Sequence, residues 1–599
     1  MTVLQALAGY YDRMAERGEA DPPGYARVKI SYVILLDLDG RVVDVHDLRE
    51  MSGKKMVPAV KAVPATTKRT WGIAPNTLWD KTAYALGRTA GEGKRTAQEH
   101  ARFVADHLTM LAGTDDEGLL ALRRFLEVWQ PADFDQPPFV ADMLDTNVVF
   151  RLDGEQRFIH DRPAARSLVA GRASDATGDT ICLITGRPAA VARLHPTIKG
   201  VDGAQSSGAA LVSFNLDAFA SYGKEQGDNA PTSAEAAHRY GTALNRLLDR
   251  ATSRNRIRIA DITVAFWADA TGVGEAAAAA AEGFMGMLLS ETPADDASES
   301  RRLHDALTLL AEGRPAAELG LGLAVGTRFH ILGLAPNAAR LSVRFWLDDS
   351  FDAFAARLAR HWQDLRIEPA PWRNTMPAVW RLLVKTTALQ EKSENVPPLL
   401  AGEVMRAILT GTRYPRSLLA AAMIRMRAGD DPASGWHAAV IRACLVRDAR
   451  LRLTDPAMRA TAQEMLVSLD RDDPHPAYQL GRLFAALETA QRQALGRLNA
   501  TIRDRYFGAA SATPASVFPL LLRGAQNHLG KLRKDGKGGW IERDIEEIIG
   551  RLQGGFPRSL LLEAQGRFVI GYYHQRRTQF AGRPAESVDA EEETDHDNG

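Results

Sequence analysis

The 599 residues include only two cysteines, Cys182 and Cys444. Two isolated thiols build neither a CxxC zinc site nor a disulfide framework, which suits a reducing, cytoplasmic setting. No run approaches the roughly 18 apolar residues that a membrane span needs. The N-terminus, MTVLQALAGYYDRMAERGEA, carries acids and no long apolar core, so it does not read as a signal peptide. Also missing are a GxxxxGK[ST] phosphate loop, an HExxH helix and the clustered His–Asp set of metal-dependent nucleases. The expectation is therefore no metal, no cofactor and no catalysis by this chain.

Net charge is absent too, since 74 Lys and Arg balance 74 Asp and Glu. The balance hides two local excesses. Residues 581–599 hold seven acids against Arg583, the composition of a disordered acidic tail. Without them the chain has 73 basic and 67 acidic residues, a net of +6. From Met51 to Lys81 stand six bases (Lys54, Lys55, Lys61, Lys68, Arg69, Lys81) and one acid, Asp80. Such density serves polyanion binding, or it forms a solvated basic loop. Residues 49–81 are rich in turn formers and broken by Pro58 and Pro64, so a long loop is expected. Trp71, Asn76 and Trp79 lie inside it. Their rings suit stacking beside bases, and buried anchors of a folded loop are the other reading.

What is present is 45% hydrophobic and 25% charged, an ordinary soluble balance. The length exceeds one core and predicts two to four domains. Periodicity predicts helices over 2–18, 95–130 and 236–248, and strands over 29–37, 41–45, 147–152, 180–185, 258–267 and 328–335. A helix or strand follows over 338–347. Asp39-Gly40 marks a hairpin turn. The pattern around Asp37 and Asp39 also fits a haloacid-dehalogenase nucleophile and acid, but Arg41 and the immediate return strand favour the hairpin. Past 377 the texture becomes Leu, Ala, Arg and Gln, with helices predicted over 398–410, 415–427, 435–449, 456–469, 476–496, 515–533, 540–553 and 558–579. The expected class is α+β. A mixed α/β region covers 1–361, with an alanine-rich insertion at 270–325. A linker at 362–376, holding Pro369, Pro371 and Trp372, leads to an all-helical bundle over 377–580 and the tail 581–599.

The most distinctive stretch is 193–230, centred on Gly203-Ala204-Gln205-Ser206-Ser207-Gly208. Two glycines five apart let another molecule approach the main chain, and N–H groups in such loops hold anions or base edges. Arg193, His195, Lys199 and Lys224 make the surroundings cationic. A plain hairpin turn is the competing reading. The serines also faintly suggest an amidase-like hydrolase acting through Ser206 or Ser207 with Lys199. However, the upstream catalytic lysine motif and the downstream glycine-rich serine segment of that class are missing. His195, alone before Pro196, reads as a structural hydrogen-bonding residue, and Cys182 as a core thiol.

Seven ordered blocks carry a wider likeness. They include Leu4-Gln5-Ala6-Leu7 with Tyr10-Tyr11-Asp12, Asn76-Thr77-Leu78-Trp79-Asp80, the run Leu194–Pro231, Thr263-Val264-Ala265-Phe266-Trp267, the run Ile331–Arg344, Pro397–Glu403, and Pro476–Phe484. Over about 480 residues the chain resembles the large subunit of the type I-C CRISPR surveillance complex, Cascade. The resemblance implies a subunit that reads the protospacer-adjacent motif in double-stranded DNA, promotes the R-loop and presents the displaced strand to a helicase–nuclease. Its implied partners are the CRISPR RNA, the backbone and guide-processing subunits, and a small subunit that such systems can make from an internal start, here near Met465. On this reading Lys199, Gly203, Ala204, Gln205, Ser206, Ser207, Gly208 and Asn76 read the motif. Lys54, Lys55, Lys68, Arg69 and Lys81 hold phosphates, and Arg492, Arg497, Arg503 and Arg505 face the displaced strand.

Overall fold

The computed structural model describes all residues except 23, 53–54, 67–71, 175–179, 215, 290–304, 307, 311, 313, 320–321, 373–376, 389–394, 497 and 582–599. By contact the chain forms two compact units. The first is Met1–Lys199 with Ser207–Arg246, and the second is Gly200–Ser206 with Leu247–Gly599.

In the first unit a four-stranded sheet runs in the order Val42–Asp47, Tyr32–Leu36, Asn147–Leu152, Trp79–Lys81. Tyr32–Leu36 is parallel to Asn147–Leu152 and antiparallel to Val42–Asp47. Its five residues are all buried, and their alternation shows why. Tyr32, Ile34 and Leu36 enter a core with Phe103, Leu122, Phe125 and Phe150, under the helices Thr96–Met110 and Glu117–Val128. Val33 and Leu35 point the other way and pack with Ile30, Val63, Trp79 and Val149. The pair Tyr25–Ile30 and Ala59–Pro64 supplies Ile30 and Val63 to that second face.

In the second unit Arg256–Ile259, Ile262–Ala268, Arg328–Asn337 and Arg340–Ser350 pair antiparallel in sequence order. Their buried side chains begin a core that continues without interruption from Ile259 to Tyr573 through the helices. At its far end Pro476–Leu495 and Leu562–Ala581 cross in direct backbone contact. A Cβ on Gly481 would lie 2.0 Å from the Phe568 carbonyl oxygen, and one on Gly571 would lie 2.2 Å from that of Tyr478. Only glycine permits that approach.

The α+β class holds, with a sheet-containing N-terminal region and a helical C-terminal region. Several local expectations do not. The expected loop 49–81 contains four strands: Glu50–Ser52 paired with Lys55–Val57, then Ala59–Pro64, then Trp79–Lys81. Pro58 precedes a strand and Pro64 ends it, positions where a missing N–H costs little. Residues 180–185 form a turn with one bridge, Ile181 to Pro188, instead of a strand. The strand 258–267 is a hairpin, turned at Ala260, whose φ is 55°. The helix 95–130 is two, interrupted around Gly113. The start of the expected linker 362–376 is the last turn of Phe351–Leu365, with Trp362 and Leu365 buried, and 373–376 fall outside the described residues. Within 270–325, the helix Glu275–Leu289 buries Ala278, Phe284 and Met285 in the main core. The helix Ile502–Ala512 has no counterpart in the sequence reading.

Candidate nucleic-acid interface

The glycine-flanked loop is the turn of a short hairpin, since Thr197–Ile198 pairs with Ala209–Ala210 in the first unit. Asn245, on the helix Ala234–Leu247, clamps this base. Its side-chain oxygen accepts from the Lys199 N–H at 2.7 Å and its amide donates to the Thr197 carbonyl at 3.1 Å. Gly208 has φ 97°, and a Cβ there would meet Thr197 Cγ2 at 2.5 Å and the Ile198 oxygen at 2.8 Å. No other residue fits. Lys199 and Ser207 are exposed, and Lys199 makes no ion pair among the described residues.

In the second unit the tip Gly200–Ser206 is anchored through Asp202. Its carboxylate accepts from Arg250 at 2.8 Å, from Arg256 and from the Thr263 hydroxyl at 3.1 Å. The Asp202 N–H donates back to the Thr263 oxygen at 2.9 Å. Val201 is buried beside this anchor, and Ala204 donates to its carbonyl at 3.3 Å. Gly203 (φ 75°), Gln205 and Ser206 are exposed and Ala204 is half-buried. A fixed main chain thus holds two polar side chains to solvent, followed in sequence by a third, Ser207. Among the described residues neither serine hydroxyl bonds a lysine or histidine. His195 bonds the Tyr240 hydroxyl at 2.7 Å, and burial lowers its pKa.

Other expected site residues are dispersed. Asn76 is buried, its N–H and side-chain amide donating to Asp80 at 2.8 and 3.3 Å, so it does not present a base-reading edge. Trp79 is also buried, its indole donating to the Pro64 carbonyl at 2.8 Å, which makes it an anchor. Lys55 and Lys81 are exposed and make no ion pair among the described residues. Lys81 opens onto a polar pocket of about 380 Å³ shared with Thr89, Arg95 and Thr96. Lys54, Lys68, Arg69 and Arg497 lie outside the described residues. Arg492 is tied to Glu488 at 3.0 Å, and Arg503 to Asp431 at 2.6 Å and Asp504 at 3.2 Å. Of the three that are described, Arg505 is exposed and makes no ion pair among the described residues.

The sequence reading missed a better cationic surface. The helix Pro514–Lys534 contains no acid in 21 residues. Arg523, Lys531 and Lys534 are exposed on it and make no ion pair among the described residues. Their spacings of eight and three place them on one stripe. The acid-free run was the signal available.

Two compact units, the second carrying the loop tip Gly200–Ser206 and a helical region with an acid-free basic stripe, make up this α+β chain. The chain belongs to the Cas_Csd1 family of CRISPR-associated proteins, whose model it matches over residues 7–580. That makes it a Cascade-type subunit, a member of a CRISPR effector complex with other Cas subunits. No curated protein matches it. Among the described residues no helix is long and apolar enough to cross a membrane.

Proposed function

We propose that this chain is the non-catalytic large subunit of a type I-C surveillance complex, acting in the cytoplasm. It reads the short motif beside the target in duplex DNA through the tip Gly203–Ser206 of the second unit, and Lys199 of the first unit holds a phosphate. The observation that carries this reading is the tip itself, whose exposed amides and hydroxyls stand on a backbone fixed through Asp202. In RNA-guided systems base pairing reads the long sequence and protein reads the short motif. A few donors and acceptors held at fixed register are what that task requires. Lys55 and Lys81 add phosphate contacts as the duplex opens into an R-loop. Arg505, Arg523, Lys531 and Lys534 offer a path for the displaced strand toward a helicase–nuclease.

The test is the double substitution Gln205→Ala with Ser206→Ala in the assembled complex. Each lost base contact should cost about 1–3 kcal/mol on a matched target. Binding to motif-scrambled DNA should hardly change. Equal losses on both targets would refute base reading by this loop.

A further inference from the structure

Ten consecutive residues of the first unit, Leu216–Glu225, are all exposed. They include three large apolar side chains at regular spacing: Leu216 is 58% exposed, Phe219 36% and Tyr222 97%. Such a cluster on a soluble chain marks an interaction surface more often than isolated exposed residues do.

The arm is not loose. The Asn229 side chain accepts from the Ser221 N–H at 3.0 Å and donates to the carbonyls of Lys224 and Gln226 at 3.1 and 3.0 Å. Lys224 donates to the Ser221 carbonyl at 2.9 Å, closing the turn. The arm's root is fixed at buried Gly227, where a Cβ would lie 2.1 Å from the Ala192 oxygen. Tyr222 itself has φ 51°, a left-handed conformation that strains a bulky residue and that glycine adopts freely. Neither the turn nor the core uses its ring, since it makes no hydrogen bond or ring contact among the described residues. A strained, outward aromatic on a rigid turn is costly unless something binds it.

We infer that Leu216–Glu225 is a docking arm that inserts Leu216, Phe219 and Tyr222 into an apolar cleft, rimmed by basic groups, on a neighbouring protein subunit of the effector complex. Charge selects protein over nucleic acid. Residues 216–230 hold Asp217, Glu225 and Asp228 against Lys224, and Arg193 donates to the Gln226 side chain at 2.7 Å at the root, which leaves a small acidic excess that suits a basic protein rim better than phosphates. Apolar anchors with a tyrosine at the tip are typical of the few residues that dominate protein interfaces. A pre-formed turn also loses little freedom on docking. This inference rests on membership of the complex and is independent of motif reading.

Full-length chain is titrated against the remaining assembled subunits with guide RNA, and its thermal unfolding is followed alone. Tyr222→Gly should leave the unfolding midpoint unchanged or raised, because it relieves the left-handed strain, while affinity for the assembly falls by roughly tenfold or more. Tyr222→Phe should dock like the wild type. Asn229→Ala, which frees the turn but keeps the anchors, should give a smaller loss. Unchanged docking by Tyr222→Gly and by the triple variant Leu216→Ser/Phe219→Ser/Tyr222→Gly would overturn the proposal. So would a triple variant that assembles normally but loses binding to RNA or DNA oligonucleotides, which would assign the arm to nucleic acid.

Discussion

Replacing Asp202 by alanine separates the anchoring of the loop tip from its reading. Asp202 is 12% exposed and holds three donors of unequal worth. Arg250 is 62% exposed, so its ion pair contributes at most about 1 kcal/mol. Arg256 is only 15% exposed, and a hydrogen bond to a charged partner there is worth about 1.5–3 kcal/mol. The buried Thr263 hydroxyl loses its acceptor, adding about 1 kcal/mol or more. Arg256 and Thr263 therefore decide the outcome, and Asp202→Ala should cost about 3 kcal/mol of unfolding free energy, against less than about 1 for Arg250→Ala. Denaturant unfolding of the chain measures both. With the tip no longer fixed, the ratio of affinities for matched and scrambled motifs should fall about 5–30-fold, the equivalent of one to two kcal/mol. Arg250→Ala should keep that ratio. If Asp202→Ala loses stability but keeps the full ratio while Gln205→Ala/Ser206→Ala abolishes it, the tip reads the motif without needing this anchor. If neither variant changes the ratio, the loop is not the reader.

Neutralising Lys55 and Lys81 together should flatten the salt dependence of duplex affinity by about two units of slope, and an unchanged slope would place both in free solvent. Arg523→Ala/Lys531→Ala/Lys534→Ala should instead flatten single-strand binding, by about 0.7 per contact, while Arg492→Ala should do nothing because Glu488 already holds that charge. A C-terminally tagged gene should also yield a 135-residue product from Met465, lost on Met465→Leu and retained on Met458→Leu. Such a product would keep Pro476–Leu495 packed on Leu562–Ala581, and its absence from wild-type expression would refute the internal start.

The helical half was legible because its signal is local. Predicted 398–410 and 476–496 are observed as Pro398–Thr410 and Pro476–Leu495, each with a proline at its start and an apolar stripe at helical spacing. Ile502–Ala512 was hidden because its apolar moment is weak and only Phe507, Ala510 and Ser511 are buried. The strands of 49–81 were hidden for another reason. Ala59–Pro64 is specified by Tyr25–Ile30, whose paired residues lie from Ile30 opposite Ala59 to Tyr25 opposite Pro64, and six residues that include two alanines and a proline look like loop. Prolines at 369 and 371 suggest a break to a reader of the sequence, whereas the division by contact falls at 199–207 and 246–247, where no such punctuation marks it.

For the site, residue type was legible and availability was not. The glycine spacing around Gln205 and Ser206 is read directly as positive-φ backbone at Gly203 and Gly208, because backbone conformation follows from a few neighbouring residues. Whether a cation is free depends on acids far away in sequence. Arg503 is engaged by Asp431, 72 residues earlier, and no local count could show it. Asn76 likewise resembled a base reader until Asp80, four residues on, proved to bind both its backbone and its amide. The reliable sequence signal for a free cationic surface is therefore a missing acid over a whole element, as in Pro514–Lys534. An arginine surrounded by both signs, as in 482–505, is more often half of an ion pair.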